Sequence, residues 1–184
     1  MTRFPTVACG AAAMLVVMAL GTLGAALAQG GRWQSYQHPR LGFALKFPGD
    51  VFTSAAEDPA ADAHQFISRD GQARLIVGAF NNDGGLAPKA YRDFILAENY
   101  KGAVLDYAPL RRRWFVISGE IGDRTFYQRV TFVCSGRLIN SWAMIYPTAE
   151  KQLYDRIVEG VHRSFSPGRG VDGGCEIPAA ERSD

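Results

Sequence analysis

Between Arg111 and Tyr146 the chain reads as three apolar runs, WFVISG, TFYQRVTFVC and RLINSWAMIY, parted by glycine-bearing turns. Such β-branched and aromatic runs predict an antiparallel meander. Strand side chains alternate, so Phe126, Gln128, Val130, Phe132 and Cys134 share one face of the middle run. Tyr127, Arg129, Thr131 and Val133 share the other. The first set suits a core and the second is mixed, which predicts a half-covered sheet. If Trp114 lies in that core, its truncation costs about 3–5 kcal/mol.

Upstream, Gly30 to Arg40 is a polar lead-in, and Leu41 to Pro48 predicts a first strand with Phe43, Leu45 and Phe47 on one side. Val51 and Phe52 add a short second piece, followed by a loop from Thr53 to Asp62. His64 to Ser68 and Ala73 to Phe80 flank Arg69-Asp70-Gly71-Gln72, where Asp-Gly favours a hairpin turn. Pro88 to Tyr100 takes helical spacing, with Pro88 in the first turn, a stripe of Tyr91, Phe94 and Ile95, and Gly102 as a stop. Ala103 to Tyr107 is extended again. A second helix starts from an expected cap at Thr148, with Glu150 in its first turn. Its stripe is Leu153, Ile157 and Val161, flanked by Tyr154, Val158 and Phe165. The expected architecture is α+β: an antiparallel β-sheet of about six strands with two helices packed on one of its faces.

The first residues are expected to be a targeting segment. Arg3, the apolar run from Val7 to Leu27 and the small-x-small end Ala26-Leu27-Ala28 make a secretory signal, with cleavage expected after Ala28. An uncleaved anchor is the competing reading, since Cys9 to Ala28 is just long enough to span a bilayer. Cys9 precedes the apolar end, where a lipidated cysteine would follow it. The expected division is therefore a signal peptide over 1–28, one domain over 29–166 and a flexible tail over 167–184. The expected location is periplasmic or secreted in a bacterium, without stable membrane insertion once the signal is removed.

With 20 basic and 18 acidic side chains, the chain lacks the basic footprint a nucleic-acid binder needs. After cleavage Cys134 and Cys175 remain, and an even count in an exported chain suggests one disulfide, which would tether the tail.

Tyr36 with Leu41-Gly42-Phe43 to Phe47-Pro48 forms an opening strand of "Y…GF…P" type. The aromatic positions Trp114, Tyr127, Trp142 and Tyr146-Pro147 follow in the meander, and Tyr154-Asp155-Arg156-Ile157-Val158 to Ser164-Phe165 closes the pattern. In this order of elements the chain resembles the Mog1/PsbP-like α/β/α sandwich family over about residues 33 to 166. The resemblance implies a non-enzymatic binding or assembly role and supplies no catalytic residues. The two cysteines are not part of the family's general pattern.

Candidate chemistry is sparse. His38, His64 and His162 have no paired spacing, whereas zinc needs three or four convergent ligands, so they read as surface or capping residues. Asn81-Asn82-Asp83-Gly84-Gly85 lacks the terminal glutamate of a calcium loop and reads as a turn. Ser118 and Ser135 are turn serines outside any G-x-S-x-G, and a Cys134–His dyad would need a free thiol. No glycine-rich phosphate loop occurs, so no cofactor is expected.

Arg111, Arg112 and Arg113 form the one sharp charge cluster: the favoured reading is the solvated start of an edge strand, and the functional one is a contact for an acidic partner or lipid headgroups. Arg124, Arg129 and Arg137 lie on or near the same meander. With Tyr127 and Trp142 on the face expected to be open, they would make an aromatic–arginine contact surface; Trp142 facing the core is the equal alternative, because alternation alone does not choose. The leading expectation is an exported, non-enzymatic accessory protein that binds an envelope protein through its sheet face or loops. The alternative is a carrier of a small apolar ligand or lipid, held between sheet and helices.

Overall fold

The computed structural model describes residues 32–55 and 61–177; the expected signal peptide lies outside the described residues. The chain forms β1 (Trp33–Gln37), β2 (Ala44–Pro48), β3 (Phe52–Ser54), β4 (Ala63–Ser68) and β5 (Arg74–Asn81). Then come α1 (Pro88–Asn99), β6 (Val104–Tyr107), β7 (Trp114–Ile121), β8 (Arg124–Val133), β9 (Leu138–Pro147) and α2 (Lys151–Ser164). Seven strands pair antiparallel in the order β3-β4-β5-β9-β8-β7-β6, and β1 and β2 form a separate two-stranded ribbon. The meander is present as read. The Asp-Gly hairpin is present too: Gly71 takes a positive φ of 71°, and the Asp70 carboxylate accepts the Gln72 N–H at 2.9 Å.

The polar lead-in proves to be a strand. In β1 only Tyr36 is half-buried, so the element is held by backbone pairing with β2 rather than by an apolar face. Thr53 and Ser54, expected in a loop, pair with Ile67 and Phe66 in β4.

The two helices lie on opposite faces of the sheet, not on one. Tyr154, Ile157, Val158 and Val161 of α2 pack with Leu75 and Val77 of β5, with Trp142, Met144 and Tyr146 of β9, and with the ribbon's Leu45 and Phe47. Ile95 of α1 and Tyr100 just beyond it pack with Phe115, Ile117, Phe126, Val130, Phe132 and Ile139. On β8, Phe126 and Tyr127 are neighbours and so point to different faces; each face receives its own helix. The sheet is therefore covered on both sides where half coverage was expected.

The helical stripes are each rotated from the expected ones. Leu153 is exposed, and the buried set Tyr154, Ile157, Val158, Val161 follows i, i+3, i+4, i+7 spacing. Phe94 is likewise exposed, leaving Ile95 as the buried residue of α1. Thr148 does not cap α2. It lies in a single 3₁₀ turn, its hydroxyl oxygen 3.0 Å from that of Thr125, and the α-helix begins at Lys151.

Residues 167–177, expected as flexible tail, lie against the sheet. The Asn140 side chain donates to the Gly168 carbonyl at 3.1 Å and accepts the Gly168 N–H at 2.8 Å. Asn81 does the same for Ile177, at 2.7 and 3.1 Å, and Ile177 is buried. Between these brackets Cys175 is bonded to Cys134, with Cα atoms 5.6 Å apart.

Candidate functional site

Arg111, Arg112 and Arg113 occupy the turn that leads into β7, and all three side chains are exposed. Their backbone is pinned. The Arg111 N–H donates to Trp114 at 2.8 Å, the Arg113 carbonyl accepts the Phe132 N–H at 2.8 Å, and Leu110 bridges to Phe115. Trp114 is half-buried, outside both core clusters. Its ring carries the Arg129 guanidinium 5.1 Å from the centroid and that of Arg111 at 5.8 Å, cation–π geometry that occupies the aromatic face.

Arg112 and Arg113 line a groove of about 870 Å³. Arg137, from the turn after β8, and Arg169, from the docked tail, line it as well. The β8–β9 turn is tight: Cys134, Ser135 and Gly136 all have positive φ, and the Arg137 N–H donates to the Cys134 carbonyl at 3.2 Å. Trp114, Leu86, Pro88 and Val133 supply apolar surface, and among the described residues no Asp or Glu lines the groove. Among the described residues, none of the four arginines is ion-paired; the closest polar partners of Arg137 and Arg169 are the Cys134 carbonyl and the Cys175 sulfur.

The expected aromatic–arginine surface does not form. Trp142 is fully buried beneath Tyr127, and α2 closes over them through His162. Arg129 donates to His162 Nε2 at 3.0 Å, and the opposite ring nitrogen, Nδ1, lies 2.9 Å from the Tyr127 hydroxyl. This arrangement suits a neutral imidazole with its proton on Nδ1, donated to Tyr127. Burial lowers the His162 pKa, and Arg129 and Arg163 lower it further. Burial also pushes the Tyr127 hydroxyl up to about 12, against a small opposing effect of Arg129. Tyr127, Arg129 and Trp142 thus join β8 and β9 to α2 and are not available as a flat contact patch.

Two of the histidines are buried rather than at the surface. His38 Nδ1 accepts the Leu41 N–H at 3.1 Å while Nε2 lies 3.0 Å from the Ala61 carbonyl, which makes it a turn-stabilising residue. His64 stacks on Tyr36 and meets the Ser54 hydroxyl at 2.6 Å. Among the described residues, no group of three or more His, Cys, Asp or Glu side chains is placed to hold a metal ion. The Asn81–Gly85 segment is a turn whose carboxamides serve the chain itself, Asn82 bonding Leu86 and Gly136. Ser118 lies within β7 rather than in a turn.

A second cleft, about 410 Å³, separates α1 from β5 and β9. Ile76, Gly78, Phe80, Phe94, Ser141 and Ala143 are among its walls, and among the described residues no charged one lines it. No helix among the described residues is long and apolar enough to cross a membrane.

Of the residues lining the arginine groove, Arg169 carried no signal in the sequence. It sits in a glycine-rich segment whose docking depends on Asn81, Asn140 and Cys134, all distant along the chain.

No protein-family model matches the chain, and no curated protein matches it by sequence. Solved structures do match. The cyanobacterial PsbP of Synechocystis aligns over 80% of this chain and 99% of its own, with 17% identity and a TM-score of 0.55. The Ran-binding protein Mog1p of Saccharomyces cerevisiae aligns over 74% of this chain and 96% of its own, with 8% identity and a TM-score of 0.54. At such identities the likeness is one of architecture: an antiparallel sheet with a helix on each face and an N-terminal ribbon, which is the Mog1/PsbP-like fold.

Proposed function

We propose that the protein is an exported, non-enzymatic binding protein that contacts a protein partner through the arginine-bearing end of its sheet. The observation that carries this reading is the exposed Arg112–Arg113 pair, unpaired among the described residues, at a large groove. The Ran-binding activity of Mog1p adds a precedent for protein recognition on this scaffold. Export is supported by the apolar N-terminal run and by the Cys134–Cys175 bond, which suits an oxidising compartment. The test is affinity capture from the envelope fraction of the source cell with wild-type protein and with Arg112→Glu/Arg113→Glu. The same retained protein should appear repeatedly with wild type and be lost on charge reversal. Retention no better than a tag-only control, or indifferent to the reversal, sinks the reading.

A second reading is favoured by the uncharged cleft between α1 and the sheet. Its 410 Å³ lies in the range of small-molecule pockets, and Phe80 and Phe94 are exposed beside it. Native mass spectrometry of gently purified protein checks it: a co-purifying apolar molecule supports a carrier role, and a bare chain mass counts against it.

A further inference from the structure

We propose that the groove is a receptor for a carboxylate-rich segment of the partner, and that Arg112, Arg113, Arg137 and Arg169 together bind it. This rests on the reading that the protein binds a protein partner. It names the chemistry of what enters, and it replaces Arg111, which lies over Trp114 and does not line the groove.

Three separate pieces of chain deliver the four guanidinium groups, and each piece is fixed. Backbone bonds to Trp114 and Phe132 hold the Arg111–Arg113 turn. The positive-φ turn Cys134–Gly136 sets the direction of Arg137. Arg169 follows Gly168, which Asn140 brackets, and its carbonyl accepts the Cys175 N–H at 2.7 Å. The backbone that a ligand meets is therefore anchored, so the ordering left to oppose binding is that of the arginine side chains.

In a chain with only two more basic than acidic groups, four cations line one groove that has no acidic wall among the described residues. Among the described residues nothing on the groove relieves their mutual repulsion, which an anion would. All four are arginine, whose planar fork matches a carboxylate with paired hydrogen bonds. Leu86, Pro88 and Val133 lie among them, so apolar side chains between the carboxylates find a surface too.

Nucleic acid fits this groove less well. Bases bind single-strand sites by stacking on open aromatic faces. Two aromatic residues are in the lining: Phe132 is buried, and the face of Trp114 already carries the Arg129 guanidinium.

The test uses a fluorescently labelled peptide of alternating Glu and Leu, its Gln-for-Glu counterpart and a single-stranded oligonucleotide, each titrated against the full mature protein by anisotropy. The Glu peptide should bind, lose affinity as salt rises, and outcompete both others. Arg137→Glu and Arg169→Glu should each weaken it about tenfold, as expected for loss of a charge-assisted contact. Arg156→Glu, on the exposed side of α2, should leave it unchanged. Equal binding of the Glu and Gln peptides overturns the proposal, as does tighter binding of the oligonucleotide or indifference to Arg137→Glu and Arg169→Glu. The wild-type comparison of peptides stands even if a variant fails to fold. The titration needs no natural partner, so its failure is distinct from a failed affinity capture.

Discussion

Tyr127 lies stacked on Trp142, ring centroids 4.9 Å apart and planes 27° from parallel. The pair joins neighbouring strands on the face closed by α2, with Trp142 fully buried and Tyr127 half-exposed above it. Removing the lower ring leaves a cavity beneath Tyr127 and Phe165. Trp142→Ala should cost about 3–5 kcal/mol, the usual range for a buried Trp. Trp114→Ala, outside both cores, should cost about 1 kcal/mol. Urea unfolding of the two variants checks the ordering, and equal losses would contradict the assignment of Trp142 to the core.

The same corner sets a dependence on pH. The pKa of His162 is lowered by burial, Arg129 and Arg163, so the fold prefers the neutral ring. Above about pH 6.5 the ring is neutral in both states and stability is whole. As pH falls through 6.5 the unfolded chain takes up a proton first, and stability drops until the folded ring also protonates. Tyr127 acts at the other end. Its pKa, raised to about 12, means that stability is kept below pH about 10 and lost as pH climbs towards 12. Urea midpoints across pH should show both slopes. His162→Gln should flatten the acidic one, and Tyr127→Phe should reduce the alkaline one without removing the part due to Tyr100, which burial also raises to about 12.

Asn140 and Gly168 exchange two buried hydrogen bonds across 28 residues. Asn140→Ala leaves both backbone groups of Gly168 without that partner, so a loss of about 2–3 kcal/mol is expected. The tail should also become sensitive to limited proteolysis before the domain unfolds. A tail that stays protected at wild-type stability would show that the bracket is not what docks it.

These long-range ties mark where the sequence stops being readable. The hairpin at Gly71 and the meander from Trp114 to Pro147 were legible because alternation and turn chemistry are local. β1 was not, since five residues with mostly exposed side chains carry no alternation, and its pairing with β2 comes from the backbone. The apolar stripes of α1 and α2 revealed two helices but not which face each would cover, because a stripe says that a helix packs without saying against what. Alternation put Tyr127 on the mixed face and left Trp142 open between that face and the core; α2 packs over both and closes the face they share. Of the arginine groove, Arg112, Arg113 and Arg137 could be read, while Arg169 depended on partners that no local pattern connects to it.

At Gly119 the backbone of β6 comes so close to β7 that a Cβ would fall inside contact with the Val104 carbonyl oxygen and the Leu105 Cα. Backbone cannot give way as a flexible side chain can. The pairing is already irregular here, with a register shift between Leu105 and Tyr107. Gly119→Ala should therefore push β6 away from the sheet at a cost of about 1–3 kcal/mol. The loss should be local, because the β6 side chains are exposed and the strand forms the sheet's edge. Amide exchange would then speed up across Val104–Tyr107 while β8 and β9 keep their protection. Unchanged exchange in β6 would mean that the two backbones are not in close contact in solution.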